Sequence, residues 1–231
     1  MSVSQGHELV PAADGSTLAL AEVRISPRST HAVADAERDS LLFVVAGSGS
    51  LGLGSDLQPL AAGAAALILA GEDAKIEADD TGLAVICTTV DAEADRHAPL
   101  GSRELVARLD AAGSEKATGA RSFQILFGPH NGSTRATLFA GFIPPGKAPW
   151  HYHLYDEIVW VPAGPGRLHT GDTTEELGAG SAFRLRPRHV HTVENLSTAD
   201  EMTVIGIFTP AGSPSAAYLT PEIAAEYRFA G

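Results

Sequence analysis

Residues 39–77, DSLLFVVAGSGSLGLGSDLQPLAAGAAALILAGEDAKIE, align without a gap on residues 156–194, DEIVWVPAGPGRLHTGDTTEELGAGSAFRLRPRHVHTVE. The offset is 117 residues throughout: Asp39 falls on Asp156, Val44 on Val161, Gly47 on Gly164, Gly49 on Gly166, Leu60 on Leu177 and Gly63 on Gly180. Matching glycines mean matching turns, and matching apolar runs mean matching core faces, so one β unit occurs twice. Around the second copy, ATLFAGFI (136–143), EIVWVP (157–162), GRLHTG (166–171), SAFRLRP (181–187), HTVENL (191–196) and EMTVIGIF (201–208) are β-branched or aromatic runs bounded by Gly, Pro or Asn. Turns at a spacing of about 8–12 residues predict an all-β sandwich or closed barrel, not parallel βαβ units. Within it, Ala163-Gly164-Pro165-Gly166 reads as a tight hairpin turn.

Two helices are expected beside the strands. Ser102 to Leu109 starts on a capping serine and carries helical apolar spacing up to Gly113. Thr220-Pro221-Glu222, followed by Ile223, Ala224 and Tyr227, has an N-cap, a first-turn proline and an apolar face. The organisation expected is therefore a first barrel over 1–93, a connection with a short helix over 94–122, and a second barrel over 123–231 closed by the other helix.

Composition narrows the partners. The chain has 231 residues, 44% of them hydrophobic, enough to bury a proper core. Sixteen Lys and Arg against 28 Asp and Glu leave a net charge of −12, which repels phosphate backbones and anionic lipid. Nucleic acid and membrane are thus excluded as expected partners, and a small molecule is left. The start, MSVSQGHELV, has no basic segment followed by an apolar one, and the longest apolar stretch, at 60–71, is short of the roughly 18 residues a spanning helix needs. A soluble, cytoplasmic protein is expected. The single cysteine, Cys87, lies in the apolar run LAVIC and reads as a small core residue.

The second copy carries His151-Tyr152-His153, then Glu157, then His191. Residues two apart on a strand project from one face about 6.6 Å apart, so two imidazoles can converge on one ion. Glu157 shares their parity, and His191 enters from a neighbouring strand. Three nitrogens and one carboxylate oxygen suit Mn, Fe, Co, Ni or Zn better than Mg or Ca. The first copy has Ala34, Ala36, Ser40 and Ala74 at the four matching positions, so no ion is expected there. Tyr152 and Trp160 have the opposite parity; an outward aromatic pair predicts burial against a second sheet or subunit, hence a homodimer or higher oligomer.

Both halves of this constellation resemble the cupin superfamily. GKAPWHYHLYDEIVWVPAG, from Gly146 to Gly164, is similar to its first motif, and GSAFRLRPRHVHTVEN, from Gly180 to Asn195, to its second. The departure is Arg186-Pro187-Arg188, where the family has a PxG turn. The resemblance covers about 35–93 and 136–210 and implies a bicupin of two jelly-roll barrels, with His151, His153, Glu157 and His191 holding one divalent transition metal in the second. It also implies chemistry of the kind seen in quercetin dioxygenases, germin-type oxalate oxidases and oxalate decarboxylases, on substrates bearing enol, phenol or carboxylate oxygens. Cleavage with dioxygen is the leading expectation, with Glu157 both ligand and proton acceptor. A non-redox lyase, isomerase, decarboxylase or cyclase is the alternative, and a non-catalytic ligand-binding bicupin the third.

Around the motifs, Arg184, Arg186 and Arg188 form a basic cluster, of which Arg186 is a candidate for holding an anionic substrate. His169 is a second candidate for substrate contact, as His189 is for proton transfer. FTPAGSPSAAYL (208–219) either folds over the barrel mouth as a lid or runs along its outside.

Overall fold

The structure is a computed structural model, and it describes residues 4–13, 15–109, 114–116 and 120–219. In the first copy, Leu18–Ile25, Asp73–Val90, Asp39–Leu53 and Ala64–Ile68 lie side by side in an eight-stranded antiparallel sheet. Ser4–Val10 and Val106–Arg108 form its edges, while Thr30–Ala34 pairs with Asp73–Val90 and Asp56–Ala61 with Asp39–Leu53. The two longest strands slip register at Val44/Ala46 and Gly47/Gly49, where a bulge bends the sheet onto itself. Gly47 sits in that bend at φ 84°, and a Cβ on it would run into the Gly82 backbone.

Adding 117 to these strands locates the second barrel. Ser122–Phe127, Thr137–Ile143, Asp156–Trp160 with Gly166–Thr170, Thr173–Leu177, Ala182–Leu185 and His191–Asn195 with Met202–Thr209 follow one another as in the first. Here the two long strands are broken, and the walls become separate six-stranded sheets. One wall runs Ala182–Leu185, Asp156–Trp160, Met202–Thr209, Thr137–Ile143, Ser122–Phe127, Glu115–Lys116. The other runs Thr173–Leu177, Gly166–Thr170, His191–Asn195, His151–His153, Ala217–Leu219, with Gly146–Lys147 beside His191–Asn195. The chain is all-β, two tandem jelly-roll barrels.

Two local expectations are corrected. Ala163–Gly166 is no hairpin turn: Asp156–Trp160 pairs with Ala182–Leu185 and Met202–Thr209, and Gly166–Thr170 belongs to the other wall. The glycines mark the corner that Gly47 bends in the first copy. The segment 102–109 is no helix either. Val106–Arg108 pairs with Ala64–Ile68, and Leu109 N–H and Gly63 C=O extend the ladder. An otherwise open sheet edge offers backbone partners and an apolar face for Leu105 and Val106, which outweighs a helical pattern worth tenths of a kcal/mol per residue. No helix occurs among the described residues, and the one expected from Thr220 lies outside them.

Strand alternation divides the side chains between two kinds of core. Leu42, Val44, Ile76 and Val85 fill the first barrel, and Val159, Val161, Val193 and Val204 the second. Their neighbours Leu41, Phe43 and Ile86, with Ile158, Trp160, Ile205 and Ile207, point the other way and meet in one core between the barrels. Trp160 thus finds its cover within the chain, and Tyr152 stacks on Tyr218 at 5.5 Å. Two arginines, Arg135 buried and Arg184 partly buried, cross the same seam. Arg135 holds Asp39 at 2.9 Å, and Arg184 holds Asp156 at 2.7 Å while donating to the carbonyls of Pro11 and Leu18.

Candidate metal centre

His151 and His153 project inward from one short strand, and His191 lies directly opposite His151 on the next. Glu157 comes from the facing wall. All four are at least 95% buried. The His151 and His191 rings are 4.4 Å apart, His153 and His191 4.8 Å, and His151 and His153 6.3 Å. His153 Nε2 lies 2.8 Å from Glu157 Oε2. The fold therefore gathers the four residues, drawn from two walls, at one end of the barrel.

Their hydrogen bonds fix which nitrogen is free. His151 Nδ1 donates to Pro149 O and His191 Nδ1 to His189 O, both at 2.8 Å, and His153 Nδ1 faces Tyr155 O at 3.3 Å. With the proton on Nδ1, each Nε2 presents a lone pair. Burial, aided by the positive charge of Arg121, pushes His151 down to about 3. Burial, and after it the neighbouring His151, pushes His191 down to about 2. Both rings are neutral at physiological pH.

Fit to an ion rests on one orphaned atom. His153 Nε2 is buried and has no hydrogen-bond partner, although a carboxylate oxygen lies beside it. A lone pair facing an anion in a water-poor pocket is unfavourable until a cation joins them. Two donors about 2.0–2.2 Å from one ion lie roughly 3 Å apart, which is the spacing seen here. As the side chains stand, no group of three His, Cys, Asp or Glu among the described residues is arranged to hold an ion. Residue identity, tautomer and burial fit a transition metal; the donors are neighbours without being focused on a common point.

Gly206 makes room for the carboxylate. A Cβ there would sit 2.8 Å from Glu157 Oε1 and inside the Phe139 ring. Thr89 occupies the matching position of the first copy, where Ser40 replaces the glutamate.

The four residues line a cavity of about 80 Å³, whose walls include Phe123, Phe139, Phe142 and Val193. Arg121 also lines it and brings positive charge. Tyr155 stacks on His153 at 4.1 Å and on Phe208 at 4.0 Å, and burial raises its phenol well above the usual range. The segment after Thr209 covers this end: Pro214 and Ala217 line the cavity, and Ala217–Leu219 pairs with His151–His153.

Other expected contacts fall elsewhere. His169 is tied to Glu194 at 2.8 Å and Thr174 at 3.1 Å, outside the cavity lining. Arg186 is likewise outside it; its carbonyl accepts from His189 N–H in the turn before His191. Arg184 is spent on the seam. Arg188 holds that turn, at φ 64° and with its N–H on His153 O at 2.7 Å. It stands where the cupin motif has glycine, so the turn keeps its shape with an arginine in a left-handed conformation. Sequence reading missed Arg121 and Gly206. The only signals for them were a lone basic residue at the start of a strand, and a glycine where a strand run would carry a branched side chain.

Comparison with known proteins places this geometry. Residues 140–208 match the Cupin domain family model. No curated protein matches the sequence. Among solved structures, a mutant of Bacillus subtilis oxalate decarboxylase is similar at a TM-score of 0.75 and 14% identity, over 94% of this chain and 75% of that one. A putative glyoxylate induced protein from Pseudomonas aeruginosa gives 0.71 and 15%, over 88% and 79%. AerE from Microcystis aeruginosa gives 0.70 and 15%, over 90% and 97%. At such identities the likeness speaks for the fold alone; the matched model makes residues 140–208 a cupin domain, in a chain whose whole fold is that of these structures.

Proposed function

We propose that the second barrel is the centre of a metal-dependent enzyme acting on a small carboxylate-bearing substrate. His151, His153, Glu157 and His191 would hold one divalent transition metal, Mn, Fe, Co, Ni or Zn, and the first barrel none. The observation that carries the reading is Arg121 on the wall of the same small, apolar cavity as these four side chains. A guanidinium in such a place binds a carboxylate by paired, charge-assisted hydrogen bonds. A bound ion supplies Lewis acidity at substrate oxygens.

The chain's own residues do the rest. Arg121 orients the anionic end, and the Phe123 and Phe139 rings keep water from the reacting carbon. Glu157, already beside His153 Nε2, can hold or pass a proton at its carboxylate oxygen. About 80 Å³ admits roughly half a dozen water-sized groups around the four side chains, which suits a substrate of a few carbons. The non-redox reading is the one carried forward, because a carboxylate held by Arg121 beside the ion is placed for cleavage without a second reactant, and oxalate decarboxylase is the kind of chemistry it resembles.

The test is reconstitution with each of the five metals, followed by short mono- and dicarboxylic acids, with substrate loss, carbon dioxide release and oxygen uptake recorded together. The expected result is near one metal per chain, lost in His153→Ala, and acid consumption without oxygen uptake. Arg121→Gln should raise KM for the acid about 10–100-fold, the worth of a hydrogen bond to a charged group. Stoichiometric oxygen uptake would restore the dioxygenase reading. Equal metal content in His153→Ala and the unmodified chain would remove the site altogether.

A further inference from the structure

The first barrel has lost the four polar side chains at its matching positions, yet it has not filled the space they would occupy. A pocket of about 170 Å³, open to solvent past Ala32 and Ala34, lies there. Ala34, Ser40, Leu42, Ile76 and Cys87 line it, and adding 117 gives His151, Glu157, Val159, Val193 and Val204, all of which line the other. The two cavities are therefore one place in the fold, present twice. A barrel kept only as scaffold has every reason to close such a space, because interiors pack to crystal-like density and an open pocket leaves apolar lining atoms in water.

The lining states what would fit. Val23, Val33, Leu42, Ile76 and Val85 make an apolar body. Ser40, Thr89, His31 and the Cys87 thiol, which is in hydrogen-bond contact with Ser40, provide polar points along it. Neither lysine nor arginine lines it. The one formal charge in the wall is Asp35, and the nearby Arg38 is held by that carboxylate at 2.8 Å. The acids drawn in by Arg121 would be turned away here. An engineered cavity of about 150 Å³ with apolar walls takes up benzene, so this one has the room for a six-membered ring.

From this geometry we infer that the first barrel is a second binding site, for a neutral, largely apolar molecule of about phenol's size with one hydrogen-bonding group. Phenol is the probe, added to the full chain with methyl resonances of Leu42, Ile76 and Val85 followed by NMR. Saturable shifts confined to the first barrel are expected with phenol, and none there with benzoate, which has the ring and an added negative charge. Val85→Phe should weaken phenol at least tenfold while leaving the metal content of the second barrel unchanged. Should that variant fail to fold, Ser40→Leu fills the same space from the neighbouring strand. No saturable shift up to about 30 mM phenol (roughly the Kd that about 0.3 kcal/mol per non-hydrogen atom gives a molecule of this size), equal shifts with benzoate, or undiminished binding in the filled variant would each overturn the inference.

Discussion

Gly206→Ala adds one methyl group at the most crowded point of the candidate centre. The new carbon would lie 2.8 Å from Glu157 Oε1 and inside the Phe139 ring, where ordinary contact needs about 3.4–4 Å. Phe139 is 8% exposed and meets Phe208 edge-on at 5.8 Å, so the ring cannot swing away without disturbing its neighbour. Glu157 is the softer partner and should move, carrying its carboxylate away from His153. Overpacking of this kind costs about 1–3 kcal/mol. In a chain of this length that is a fall in Tm of roughly 2–4 °C per kcal/mol. The metal readout is the sharper one, since a displaced carboxylate removes one of four donors. Calorimetry and metal analysis on variant and unmodified chain should therefore show both losses together. Unchanged metal stoichiometry with Tm within 1 °C (well below the roughly 2 °C minimum expected) would show that nothing presses on Glu157 from position 206.

Three further outcomes follow from other parts of the molecule. Asp39→Ala leaves Arg135 buried in the seam without its partner, and should cost about 3–5 kcal/mol in urea unfolding. Arg188→Gly relieves a left-handed arginine while keeping the N–H bond to His153 O; about 0.5–1 kcal/mol of added stability is expected by the same assay. Acid should destabilise the metal-free chain through His151 and His191, whose folded values of about 3 and about 2 lie below the ordinary 6.5. The unfolded chain takes up protons as pH drops below 6.5 while the folded one does not. Stability present above 6.5 is thus lost on acidification by up to about 1.4 kcal/mol per pH unit for each ring. Urea midpoints at pH 6 and pH 5 should fall more steeply than in the His151→Gln/His191→Gln double variant, and parallel slopes would mean the rings are not buried neutral.

The repeat was legible because strands announce themselves locally. Val161 and Val44 recur at a fixed offset, so do the glycines between them, and the observed strands begin and end within a residue or two of the runs that predicted them. The gathering of His151, His153 and Glu157 was legible for the same reason, as seven consecutive residues hold them. What escaped was what only the third dimension supplies. Val106 has as good a helical neighbourhood as a strand one, and the choice is made by the free edge of Ala64–Ile68, forty residues earlier in the chain (as the sheet order requires). Arg121 is thirty residues from His151 and reaches the cavity because Ser122–Phe127 lies beside Thr137–Ile143. Gly206 reads as a weak point of a strand until Glu157 Oε1 is seen against it.

The seam explains why a barrel without the four candidate ligands is retained beside the one that carries them. Glu157 and Gly206 face the cavity, and the residues flanking them along their strands, Ile158, Trp160, Ile205 and Ile207, face the first barrel. Each such side chain contributes about 1.5–3 kcal/mol when fully buried. Exposing all four would forfeit roughly 6–12 kcal/mol, as much as the whole stability of an ordinary domain. The second barrel alone would therefore lack a stable wall on the side from which Glu157 projects. Asp156, next to Glu157, is clamped by Arg184, whose other hydrogen bonds end on Ser16 and on the carbonyls of Pro11 and Leu18. The carboxylate of the candidate centre is held in place from behind, by the copy that has no carboxylate at the matching position.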